Sequence, residues 1–175
     1  MKRLALLLII TISIMSCDKL DKLTQFSLKY NQTVTIPNTF GINIPFDIST
    51  PEINTNSKQT FEGYNTADNL IESIKLTKLV LTMEEPANAD FSFLSAIEIF
   101  ISAEGLSEVK IASKTNIPND AQTVVLELAN VDLKEYIKAD QFKMRLNTTT
   151  DELMSQNHKI NVATEFLVDA NVLGK

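Results

Sequence analysis

The chain has 175 residues with one cysteine, one histidine, no tryptophan, four glycines and a formal net charge of −6. Less its first sixteen residues it keeps 159, enough for one domain that buries roughly 70% of its unfolded surface, and a single cysteine excludes any disulfide within the chain. Setting aside Lys2 and Arg3 leaves 14 basic side chains against 22 acidic ones, a charge of −8 that repels phosphate backbones and anionic headgroups, so no nucleic acid partner is expected.

The start of the chain is the part whose chemistry is most specific. Met1-Lys2-Arg3 is a short cationic opening, and residues 4–15 form an apolar run softened only by Thr11 and Ser13. This reads as the core of a signal peptide, since a helix that crosses a bilayer needs about 20 apolar residues and the polar Asp18 arrives too early. Ile14-Met15-Ser16-Cys17 then resembles the lipobox of bacterial lipoproteins, in which an aliphatic residue, a tolerant position and a small residue precede a cysteine. The resemblance covers the first seventeen residues. It implies cleavage between Ser16 and Cys17, a diacylglyceryl group on the Cys17 thiol and attachment to a membrane. Each buried methylene adds about 0.8 kcal/mol, so two or three acyl chains hold a protein at a membrane where one chain binds only marginally. The location implied is the cell envelope, at the outer rather than the inner membrane, facing the periplasm or the exterior.

After Cys17 the motif Asp-Lys-Leu occurs twice, over 18–23, and Thr24-Gln25 follows. At about 3.5 Å per residue, such a tether of eight residues reaches no more than about 28 Å. The expected organisation is a signal peptide at 1–16, the lipidated cysteine and tether at 17–25, and a single folded domain at 26–175.

Within that domain the dominant period is two. Phe26, Leu28 and Tyr30 alternate with polar residues, and Val34 and Ile36 continue the same parity. Ile42, Ile44, Phe46 and Ile48 form a second alternation, and Pro45, which has no N–H to give to a ladder, places it at a sheet edge or a bulge. Residues 51–57 read as a loop and 61–64 as a short strand. From Thr66 the spacing of Leu70, Ile71 and Ile74 predicts one or two helical turns. Ile74 and Leu76 then alternate on one parity, and Leu79, Leu81 and Met83 on the other; such a change of phase is what a β-bulge produces.

Further alternations follow at Ile97-Ile99-Ile101, Val109-Ile111, Val124-Leu126-Leu128, Phe142-Met144-Leu146 and Ile160-Val162-Thr164-Phe166-Val168. Asp132 and Glu135 are spaced as a capping box for a short helix over 133–138. Seven to nine short strands with one or two brief helices predict an all-β, antiparallel sandwich of immunoglobulin-like or Greek-key type, with a closed barrel as the alternative.

Reactive chemistry is sparse. His158, at the start of the last alternation, is expected at a surface or turn, with no Gly-x-Ser-x-Gly elbow to partner it. With Cys17 acylated, one histidine cannot assemble a zinc-type site. Glu84, Glu85 and Asp90 are the best local carboxylate group, without a calcium-loop pattern. No catalytic residue, metal or cofactor is expected. Two readings remain: a lipid-anchored interaction or structural module with an envelope protein as partner, or a carrier or sensor holding an apolar ligand between its sheets.

Overall fold

The computed structural model describes residues 24–171 apart from 40 and 42. Ser16, Cys17 and the tether up to residue 23 lie outside the described residues. Ten strands make up two antiparallel sheets: β1 (Gln25–Ile36), β2 (Pro45–Ser49), β3 (Ile53–Asn54), β4 (Ile71–Glu85), β5 (Leu94–Ala103), β6 (Val109–Thr115), β7 (Thr123–Val125), β8 (Glu127–Leu128), β9 (Gln141–Thr150) and β10 (His158–Ala170). One sheet runs β1-β10-β4-β7 and the other β2-β9-β5-β6-β8, with β3 also pairing β9.

Consecutive strands pass repeatedly from one sheet to the other, so this is a Greek-key sandwich in its jelly-roll form, and both sheets keep open edges. The count exceeds the expected seven to nine because β3 forms within the expected loop and the alternation at 123–128 divides. Val124 pairs with Leu81 in one sheet while Leu128 pairs with Ala112 in the other. Leu126, buried between them, donates its N–H to Leu79 O at 3.1 Å.

The period of two decides what the sheets bury. Even-numbered apolar residues of β1 and β10 face inward with Ile74, Leu76, Leu79 and Leu81 of β4, against Ile97, Ile99 and Ile101 of β5 and Phe142, Met144 and Leu146 of β9. Phe142 and Phe166 meet edge to face across the two sheets, with centroids 6.1 Å apart. Two buried hydroxyls of β9 are bonded: Thr148 Oγ1 donates to Ala96 O at 2.9 Å, and Thr150 Oγ1 to Gly41 O at 2.7 Å.

The phase change in β4 is a bulge. Glu165 pairs with Lys78 and Phe166 with Leu76, so Thr77 is the extra residue, and its hydroxyl donates to Glu165 O at 3.0 Å. Pro45 opens β2, an edge strand, as its missing N–H requires.

The helices depart from the sequence reading. The first, α1 (Ser57–Gly63), occupies the expected loop and short strand, because Phe61 is drawn into the core edge-on to Phe26 at 6.0 Å and Asn56 supplies a left-handed entry at φ 49°. The helix expected after Thr66 shrinks to a 3-10 turn over Asp68–Leu70, since Ile71 and Ile74 pair with Ala170 and Val168 in the ladder. The second, α2 (Lys134–Lys138), forms close to where the capping residues put it. The N-cap is Leu133 rather than Asp132, so the expected capping box does not form; Asp132, one residue earlier, accepts at Oδ1 from Lys134 N at 3.1 Å and from Ile74 N at 3.0 Å and ties the helix start to β4.

Glycine is scarce, and asparagine does its work. Asn43, Asn56, Asn65, Asn88 and Asn116 all have positive φ, a region that asparagine visits more readily than other residues with side chains.

Candidate functional site

The residues with chemistry to offer are dispersed. His158 pairs with Ile36 at the start of β10 and is 9% exposed, which corrects the expected surface position. Its ring lies 4.5 Å from that of Phe93, and its Nδ1 is buried without a hydrogen-bond partner. Burial therefore holds its pKa below the usual value, partly offset by the Gln156 backbone and the charge of Asp90. The imidazole thus packs against one aromatic ring, and among the described residues no hydroxyl is bonded to it.

The three carboxylates of the acidic stretch face separate partners. Glu85 Oε2 lies 2.8 Å from Lys159 Nζ, Glu84 Oε2 accepts from Thr33 at 3.0 Å, and Asp90 Oδ1 accepts from Ser92 N at 3.1 Å. That bond to Ser92 holds the Asp90 carboxyl below the ordinary range. Among the described residues no group of three His, Cys, Asp or Glu side chains converges on a point.

A polar constellation that the sequence reading missed lies on the outer face of the second sheet. Arg145 of β9 bridges Asp47 of β2 and Glu108 before β6, and Asn147 Nδ2 donates to Asp47 at 2.8 Å. The bonds to Glu108 and Asp47 hold the arginine more firmly protonated than usual, and those from Asn147 and Arg145 lower the Asp47 pKa. Its members are far apart in sequence, and only their register brings them together.

Two depressions lie at the end of the sandwich where β1 begins. One, of about 940 Å³, is lined by Glu52, Asn54, Glu104, Lys138, Asp140 and Lys143 among others, and the second, of about 310 Å³, adjoins it along 54–59. Their charges are largely spent on one another: Lys143 Nζ stands 3.0 Å from Glu52, and Lys58 Nζ 3.7 Å from Asp140. Both are open and chiefly polar, unlike a pocket for an apolar ligand, which buries most of its guest against hydrophobic walls.

At the opposite end, the loops after β1 and β9 are held side by side. Asn43 N donates to Thr150 O at 2.6 Å, and Asn38 N to Asn157 Oδ1 at 3.0 Å. They expose two large aliphatic side chains, Ile44 at 59% and Leu153 at 72%.

No protein-family model matches the chain, and no curated protein matches it. Among solved structures, the chain is similar to CpGH89CBM32-5 from Clostridium perfringens, crystallised with GalNAc-beta-1,3-galactose, at 9% identity and a TM-score of 0.38 over 81% of this chain and 96% of that one. The decameric BFDV capsid protein gives 5% identity and a TM-score of 0.40 over 82% and 99%. The turnip yellow mosaic virus structure gives 13% and 0.30 over 83% and 94%. Likeness at this level says nothing of function.

Proposed function

We propose that the chain is a lipid-anchored, non-catalytic module of the bacterial cell envelope, held at a membrane through acylated Cys17 and serving protein interaction or a structural role. The observation that carries this reading is Ile14-Met15-Ser16-Cys17 at the end of a short apolar run, in a chain with no other cysteine. A body with 22 acidic and 14 basic side chains gains nothing from an anionic surface, so lipid is what keeps it there. The dispersed carboxylates, the enclosed His158 and the exposed Ile44 and Leu153 support binding over catalysis. The partner is another envelope protein, and the outer membrane is the expected site.

Membrane fractionation of Cys17→Ala tests the anchor. The variant is expected to stay unprocessed or to leave its membrane, and normal processing and fractionation would overturn the lipid reading. Cross-linking in intact cells followed by detergent extraction tests the interaction role; recovery of no reproducible protein partner, including a second copy of the chain, removes it.

A further inference from the structure

Four sheet edges are open in this sandwich, and three of them are blunted. On the β1-β10-β4-β7 sheet the far edge is β7, three residues long; on the other sheet the edges are β8, of two residues, and β2, which begins with proline. Short strands and proline are the ordinary means by which proteins keep edges from pairing with other chains. β1 has none of these protections. It runs twelve residues in unbroken register with β10, without a proline or a bulge, and carries one charged side chain, Lys29. Among the described residues β10 is its only strand neighbour, so every second residue of β1 turns its N–H and C=O toward a side that no described strand pairs.

The order of side chains along β1 indicates what fits there. An antiparallel neighbour keeps inward residues opposite inward residues only in registers of one parity. With a two-fold axis through Asn31, a second copy meets this condition over the whole strand. Phe26 then faces Ile36, Leu28 faces Val34 and Tyr30 faces Gln32 on the inner face. On the outer face Ser27 faces Thr35 and Lys29 faces Thr33. Apolar residues meet apolar residues, the partly buried Tyr30 and Gln32 meet each other, and the single cation meets a hydroxyl rather than its own copy. Moving the axis by one residue to Tyr30 keeps the parity but sets Leu28 against Gln32 and leaves Ile36 unmatched.

We infer that the free edge of β1 pairs antiparallel with β1 of a second copy of this chain, in the register centred on Asn31, and joins two four-stranded sheets into one of eight. The pairing does not depend on the anchor, although attachment of both copies to one surface raises their effective concentration.

The test uses the full chain in the membranes of the cells that make it. In the proposed register residue 31 stands opposite itself, and directly opposed strand residues have Cα atoms about 4.5–5.5 Å apart, within the span of about 4.4–6.8 Å that a disulfide bridges. Under mild oxidation Asn31→Cys is expected to give a disulfide-linked homodimer at least about tenfold more abundant than Val125→Cys, whose thiol lies on the opposite edge of the sheet at a position that is also exposed. Adding Thr33→Lys with Glu84→Gln, which removes the carboxylate that position 33 meets in its own chain, places a cation opposite Lys29 of the other copy twice per dimer and lowers the yield about tenfold; adding Lys29→Glu with Glu165→Gln as well turns both contacts attractive and restores it. The inference is overturned if Asn31→Cys links no better than Val125→Cys, if it links to a different protein, or if the charge changes leave the yield unaltered. A disulfide dimer of the unsubstituted chain reports a free Cys17, and counts against the lipid reading rather than against the pairing.

Discussion

The Arg145 guanidinium lies over the Phe100 ring, 4.2 Å from its centre, because the two residues stand directly opposite each other where β9 pairs with β5. This contact and the bridges to Asp47 and Glu108 tie three strands and a turn together on the outer face. Lysine offers a point charge in place of a planar fork and cannot stack on a ring while reaching two carboxylates. Arg145→Lys is therefore expected to lower unfolding free energy by about 1 kcal/mol in urea melts, at the scale of one cation–π contact plus exposed ion pairs. Repeating the melts at high salt should shrink the difference, because the carboxylates are solvent-accessible.

His158 makes stability depend on pH in a defined direction. Its folded pKa lies below the ordinary 6.5, so the unfolded chain takes up the proton more readily. The stability from its neutral, buried ring is complete above about pH 6.5 and is lost as pH falls through the lower folded value. Denaturation of the natural chain between pH 7.5 and 5 should show this decline, and His158→Leu, which keeps an apolar group beside Phe93, should flatten it. An unchanged slope in the variant would place the effect on other groups.

The left-handed asparagines give a sharp contrast between two small substitutions. Asn116 has φ 53° in the turn after β6. A residue with a Cβ and no side-chain hydrogen bonding to offer pays about 1–2 kcal/mol in this region, whereas glycine adopts it freely. Asn116→Ala should cost roughly 1 kcal/mol, and Asn116→Gly should stay within about 0.5 kcal/mol of the natural chain, both read from the midpoint of urea unfolding.

Strand by strand, what the sequence could reveal depended on whether period or partner decided the outcome. The parity of Phe26, Leu28, Val34 and Ile36 is enough to place β1, and Pro45 is enough to place β2 at an edge, because both follow from geometry within a few residues. Residues 66–74 carry a helical spacing as well as a strand, and pairing with β10 settled the choice, which no local pattern contains. Residues 57–63 look like a loop for the converse reason: Asn56 and Ser57 are turn residues, and the burial of Phe61 turns them into a helix entry. The Arg145 network was invisible, since Asp47, Glu108 and Arg145 signal nothing until three strands are set in register. The anchor motif, by contrast, is read from contiguous residues and needs no fold.

The bulge at Thr77 yields the most direct test of how phase governs this fold. Thr77 and Lys78 both point outward, so Leu76 and Leu79 remain inward although they are three residues apart. Removing Thr77 leaves Lys78 alone between two inward leucines and restores a regular alternation from Ile74 to Met83, between the two other register shifts of the strand. The cost is the bond from Thr77 Oγ1 to Glu165 O and the local twist the bulge supplied, about 1–2 kcal/mol, and the chain should still unfold cooperatively. Removing Thr82 instead acts where the alternation is already regular. Met83 then takes the outward position, and the pairings of Leu81 and Met83 with Val162 and Ile160 can no longer both be kept. That variant should lose the sharp thermal transition that the Thr77 deletion keeps; equal behaviour of the two deletions would show that the phase of β4 is not what holds the sheet in register.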